Sequence, residues 1–283
     1  FKPDIINAHT GRAQTWAVMI PHGNARVIRT RCDVRLPSTN FMKRFIMNRT
    51  HRILVPARFI KRGYEKIYPE FSKRRITLIP QGIDTDEFPA QPEPSYGNGM
   101  RIGILGRLDP VKGHRFLIEA FASVHAEFPQ SRLCIAGREE HVSVKTLAGI
   151  AESWGISSNV EFLGHIEEPR AFIANCHIGV IASISSEAVS RAALEWMASQ
   201  RALIATRVGG IPDLVSHEIN GLLVEPAQPA ALAAAIKRLI KDQDMRSRVA
   251  RYARKSIETT FSMKNFVNMN EVVYKDAIDN PAC

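Results

Sequence analysis

Short apolar runs alternate along the chain with amphipathic stretches of helical length. In the first third, strands are predicted at Asp4–His9, Arg26–Arg31, Arg52–Val55 and Ile76–Pro80, and helices at Ala13–Ile20, Asn40–Arg49 and Ala57–Ile67. Such alternation points to a parallel sheet with crossover helices. Between residues 87 and 99 the pattern stops, and proline and glycine crowd a stretch that reads as a linker. A second series follows, with strands at Arg101–Leu105, Arg132–Ala136, Val160–Leu163, Ile178–Ala182, Ala202–Thr206 and Gly221–Val224. Its helices are predicted at His114–Glu127, Val144–Trp154, Pro169–Asn175, Ser190–Ala198, Pro229–Lys241 and Asp244–Phe261, with a last one near Lys264–Ile278. The second series makes a nearly complete doubly wound domain, whose ligands sit beyond the carboxyl ends of the strands.

At 283 residues the chain has room for two cores. No apolar run reaches the length of a membrane span, and no signal-peptide pattern opens the chain. Cys32, Cys134, Cys176 and Cys283 are scattered, without metal or disulfide spacing, which suits a reducing, cytoplasmic setting. The chain has no initial Met and opens on the entry to a buried strand. It therefore reads as a fragment, short of roughly 70–90 residues by usual domain size.

Charge is unevenly spread. Arg26 to Arg75 holds 15 Lys or Arg against Asp33, Glu65 and Glu70, a local +12 in a chain of net +10. Either this is a solvated basic face, or it meets an anionic partner such as a membrane surface or lipid head group. Nucleic acid is not expected as a partner, because the stretch carries no recognised nucleic-acid motif. Apolar residues interleave the basic ones in Phe41-Met42-Lys43-Arg44-Phe45-Ile46-Met47, a pattern for a helix lying on a membrane.

Two segments carry candidate chemistry. Gly106-Arg107-Leu108-Asp109-Pro110-Val111-Lys112-Gly113 follows a strand, and its glycine admits a ligand close to the backbone. Arg107 and Lys112 offer a planar fork and a mobile point charge, both suited to a diphosphate. An ordinary basic surface turn would look the same in isolation. In the second segment Glu187 and Glu195 stand eight apart where a loop enters a helix. Carboxylates suit sugar hydroxyls, and a helix start favours phosphate. Gly209-Gly210, Pro212 and Asn220-Gly221 read as turns and a helix start, with an architectural role.

Taken together, these segments resemble the retaining glycosyltransferases of family 4. The resemblance runs through Gly106-Arg107…Lys112-Gly113, Ser186-Glu187…Glu195-Trp-Met-Ala, Ala205-Thr-Arg-Val-Gly-Gly-Ile-Pro-Asp and Asn220-Gly-Leu-Leu-Val. Ile79-Pro80-Gln81-Gly82-Ile83-Asp84…Phe88 looks like that family's interdomain segment, with Gln81 where Asn is usual. The resemblance implies a GT-B fold, two Rossmann-like α/β domains with parallel sheets facing a cleft, the first one incomplete. Expected boundaries are 1–88 for a partial acceptor-side domain, 89–99 for the linker, 100–262 for the nucleotide-sugar domain and 263–283 for a helix crossing back.

The implied reaction moves a sugar from a nucleotide-diphosphate sugar to a glycan or lipid-linked acceptor, with retention and without a metal or other cofactor. The acceptor side suggests cell-envelope polysaccharides such as lipopolysaccharide, made on the inner face of the membrane. By the resemblance Arg107 and Lys112 hold the diphosphate, Glu187 contacts the sugar and Glu195 the ribose. Gly106 and the stretch Ala188, Val189, Ser190 and Arg191 face the donor, and Arg138 and His165 lie near the base. The acceptor attacks from the face the diphosphate leaves, so the two glutamates are not a general acid and a nucleophile. Catalysis would be mostly positioning and charge stabilisation. Cys32 stands where the family often has a histidine, and His9, Asp33 and Arg35 are candidates for its role. A GT-B sugar-nucleotide epimerase and a non-catalytic nucleotide-sugar-binding module are the alternatives.

Overall fold

A computed structural model describes residues 2–35, 38–71, 75–95, 99–185 and 187–280. Ser186 and Cys283 lie outside the described residues. In chain order the first elements are β1 (Ile5–Ala8), α1 (Gly11–Met19), β2 (Arg26–Thr30), α2 (Phe41–Asn48), β3 (Arg52–Val55), α3 (Arg58–Ile67) and β4 (Ile76–Leu78). Next come β5 (Arg101–Leu105), α4 (His114–Glu127), β6 (Arg132–Ala136), α5 (Val144–Ser153), β7 (Val160–Gly164), α6 (Pro169–Ala174) and β8 (Ile178–Ile181). The chain continues with α7 (Arg191–Ala198), β9 (Ala202–Thr206), α8 (Ile211–Leu214), β10 (Leu222–Val224), α9 (Pro229–Lys241), α10 (Gln243–Thr259) and α11 (Met263–Asp279). Among the α-helices of the described residues, the short α8 is the one that hydrophobic periodicity does not delimit, since four residues carry no period; Pro212 in its first turn marks it instead.

Two compact units result, Phe1–Gly82 with Met263–Cys283, and Ile83–Ser262. In the first, β1-β2-β3-β4 pair in parallel in that order. Polar caps start its helices where the sequence supplies them: Thr10 accepts from the Ala13 N–H, and Asn40 from the Lys43 N–H at 2.8 Å. Val273 and Ala277 of α11 pack on Ile28, Leu54 and Ile79, and Asp276 takes the buried Arg52 guanidinium at 2.6 Å.

The basic excess of this unit is not all on one face. Arg29, Arg52 and Arg75 are buried. Arg29 donates to the Ala8 and Thr30 carbonyls, and Arg75 to those of Met47 and Thr50. Guanidinium groups thus tie carbonyls at the ends of strands and of a helix, a use that charge counting does not reveal.

The second unit has six parallel strands in the order β10-β9-β8-β5-β6-β7. Strand order reverses between β5 and β8, the crevice where doubly wound sheets bind ligands. Its strands read as continuous apolar runs because helices cover both faces. Trp196 of α7 is fully buried over the junction. A Cβ on Gly179 would lie 2.3 Å from its ring, and one on Gly103 2.7 Å, so the two glycines let α7 settle directly on β5 and β8.

Within the expected linker, residues 91–93 are bonded to the second unit. Arg201 donates to the Gln91 and Pro92 carbonyls at 2.8 and 2.9 Å, and Arg246 reaches the Glu93 carboxylate at 2.5 Å. Buried Arg201 thus satisfies two backbone carbonyls of this stretch, and the two arginines hold residues 91–93 to the second unit. By contacts, the two units divide between Gly82 and Ile83.

Candidate active site

A cavity of about 430 Å³ opens at the carboxyl ends of β5 and β8. Gly106, Arg107 and Lys112 line it from one side, and Ser183, Glu187, Val189, Ser190 and Arg191 from the other.

The loop after β5 is built to return onto the sheet. The Gly106 N–H donates to the Ala136 carbonyl at 2.9 Å, and the Asp109 side chain caps the Val111 N–H at 2.9 Å. That bond, with His141 beside it, holds the Asp109 carboxyl below its ordinary range. Gly113 then turns with φ +71°, and a Cβ there would lie 2.0 Å from the Ala182 carbonyl oxygen. His114 opens α4 only 3% exposed, with its ring beside the Asp109 and Gly106 carbonyls. Burial, then the charge of Lys112, lowers its pKa from 6.5 to about 4, so the ring is neutral at physiological pH.

The loop after β8 is fixed from below. The Thr206 hydroxyl donates to the Ser183 carbonyl, and the Gly210 N–H to the Glu187 carbonyl at 2.7 Å. Gly209, at φ +54°, approaches so closely that a Cβ would lie 2.0 Å from the Glu187 carbonyl oxygen. Ser190 then caps α7, its hydroxyl accepting from the Ala193 N–H.

Charges meet in the cavity wall. Lys112 Nζ lies 2.5 Å from Glu187 Oε1, although the residues are 75 apart in sequence. Glu187 is only 4% exposed. Arg107, more exposed, pairs with Glu140, and Arg191 with Glu195 at 2.9 Å. Burial raises the Glu195 carboxyl pKa, and the Arg191 cation opposes that.

The structure therefore gathers Gly106, Arg107, Lys112, Glu187, Val189, Ser190 and Arg191 around one cavity. Ala188 and Glu195 are buried beside it without lining it, and Arg138 and His165 are exposed on neighbouring loops. His9 and Cys32 are exposed in the first unit. Asp33 there accepts from the Arg31 guanidinium and from the Arg35 N–H, which ties their loop together. Sequence reasoning missed Ser183, His114, Glu140 and the seating of Glu187 on Gly209-Gly210. Only Ser183 left a trace, lying just beyond a strand end. Asp109, Glu140 and His141 bring ligand-type atoms within 4.8 Å of one another. All three are already engaged, His141 Nδ1 with Asp109 at 2.7 Å and Glu140 with Arg107.

Comparison with known proteins gives a consistent picture. The family model described as glycosyl transferases group 1 matches residues 86–256. A D-inositol 3-phosphate glycosyltransferase of Corynebacterium urealyticum is 30% identical over 211 residues, covering 69% of this chain and 48% of that protein. The chain thus spans about half the length of that relative. A lipopolysaccharide 1,2-N-acetylglucosaminetransferase of Salmonella typhimurium is 23% identical over 81% of this chain and 63% of its own length. Among solved structures, Anabaena HepE in complex with UDP superposes with a TM-score of 0.84 at 21% identity, covering 98% of this chain and 79% of that one. At that identity the likeness is one of fold, and the fold is GT-B.

Proposed function

The chain belongs to the glycosyl transferases of group 1, and on that footing we propose that it moves a sugar from a nucleotide-diphosphate sugar to a glycan or lipid-linked acceptor, with retention and without a metal. The meeting of Lys112 and Glu187 in a cavity at the β5–β8 switch point carries this reading. A bound diphosphate would draw Lys112 off Glu187 and Arg107 off Glu140, placing two cations on the developing charge of the leaving group. The first amides of α7 face the same space and favour phosphate. Glu187 then meets the sugar hydroxyls, while Glu195, set back beside Arg191, serves the ribose. No side chain need attack the sugar, because the chain's contribution is to hold donor and acceptor in register.

The UDP in the HepE complex supports the donor class. The lipopolysaccharide named for the Salmonella relative supports an acceptor from cell-envelope glycans, whereas the inositol phosphate named for the corynebacterial one is a small phosphorylated acceptor. Arg107→Ala is expected to weaken UDP or GDP binding at least tenfold, about 1.4 kcal/mol, and unchanged affinity in calorimetry would count against the site. Conversion of a nucleotide sugar by the intact protein into its epimer, without any acceptor, would favour the epimerase reading instead.

Work on the inner face of a membrane fits α2, where Phe41 is 85% exposed and Met42 and Phe45 stand beside Lys43 and Arg44. No helix among the described residues is long and apolar enough to cross a membrane. Sedimentation with anionic vesicles should therefore exceed that with neutral ones. Phe41→Ser with Lys43→Glu should abolish the difference, and equal sedimentation by the unaltered protein would remove the membrane from this reading.

A further inference from the structure

Glu187 is held at one carboxylate oxygen by two donors of different character. Lys112 Nζ lies 2.5 Å from Oε1, and Ser183 Oγ lies 2.6 Å from the same atom. Lys112 keeps 25% of its side chain in water and rides on a flexible stem, so it can change partner. Ser183 cannot: it is 1% exposed at the end of β8, and its carbonyl is tied to the Thr206 hydroxyl. The Glu187 backbone is fixed separately by Gly210 and the close approach of Gly209. A donor diphosphate in this cavity competes for Lys112. Once Lys112 leaves, a carboxylate with no other donor could turn about its side-chain torsions.

We propose that Ser183 is a positioning residue for the donor sugar: its hydroxyl keeps Glu187 Oε1 anchored after Lys112 has moved to the diphosphate, so that the other carboxylate oxygen meets the sugar hydroxyls. This rests on the reading of the cavity as a nucleotide-sugar site. It assigns the exchangeable bond to the part of the donor that carries charge and the permanent one to the part that must be recognised by shape. A hydrogen bond to an ionised group is among the stronger kinds, and its loss reaches the ten-fold range.

The test compares the unaltered chain with Ser183→Ala and Ser183→Thr. Each is titrated with UDP and UDP-glucose, and with GDP and GDP-mannose, and its rate of sugar release from the nucleotide sugar is measured. Ser183→Ala is expected to bind the bare nucleoside diphosphates as the unaltered chain does. It should lose about tenfold in sugar-nucleotide affinity or turnover, and Ser183→Thr should recover most of the loss. A merely structural role would lower both affinities and the melting temperature together. If the unaltered chain binds none of the probes, the donor-site reading falls and this role with it. If it binds them and Ser183→Ala is indistinguishable, only the role of Ser183 falls.

Discussion

Lys112→Ala is expected both to weaken nucleoside-diphosphate binding at least tenfold and to destabilise the fold by about 3 kcal/mol. The second effect follows from where its partner sits. Glu187 is buried, and removing the cation leaves an ionised carboxylate with, among the described residues, only the Ser183 hydroxyl to satisfy it. Breaking a buried pair from one side costs about 3–5 kcal/mol, and the low end applies because Lys112 is itself partly in water. The two effects separate in the double variant. Adding Glu187→Gln removes the stranded charge, so stability should return while diphosphate affinity stays low. Urea unfolding and calorimetry on the four members of the cycle check this. A double variant as unstable as Lys112→Ala would show that the pair is not the cause, and undiminished affinity in Lys112→Ala would take Lys112 out of the donor site.

Acid should act through His114. Its folded pKa of about 4 lies below the ordinary 6.5, so the folded chain holds the ring neutral while the unfolded chain takes up the proton first. The stability this contributes is complete above pH 6.5 and is lost as pH falls from there through about 4. The shift corresponds to about 3 kcal/mol. Burial is the larger cause and Lys112 the next, so the cost of protonation falls on the loop that carries Arg107 and Lys112. His51 and His177 are also lowered by burial and add to the acid slope of the unaltered chain. The difference from His114→Gln isolates the one residue. That variant should unfold with a flatter pH dependence between 6.5 and 4, and identical slopes would show that His114 is not held neutral.

Much of the fold was legible because parallel strands buried on both faces leave uninterrupted apolar runs. Arg52–Val55, Arg101–Leu105, Arg132–Ala136 and Ala202–Thr206 have the bounds that periodicity gives them. The cations of the donor loop and the glutamate of the next loop were legible as residue types at strand ends. Their pairing was not, since Lys112 and Glu187 meet only after β8 has been inserted beside β5. Nor could composition tell a surface arginine from one turned inward. Arg29, Arg75 and Arg201 are spent on backbone carbonyls, and the last of these holds Gln91 and Pro92 to the second unit. Gly209-Gly210 reads as a simple turn in sequence, yet its position is set by the Glu187 backbone it supports.

The most direct measurement is equilibrium titration of the chain with paired nucleotides, UDP against UMP, GDP against GMP and ADP against AMP, repeated on Arg107→Ala with Lys112→Ala. For at least one base, the diphosphate should bind at least tenfold more tightly than the monophosphate, and the doubly substituted chain should lose that preference. Equal affinity for both members of every pair, or a preference that survives the loss of both cations, would contradict a diphosphate held by Arg107 and Lys112.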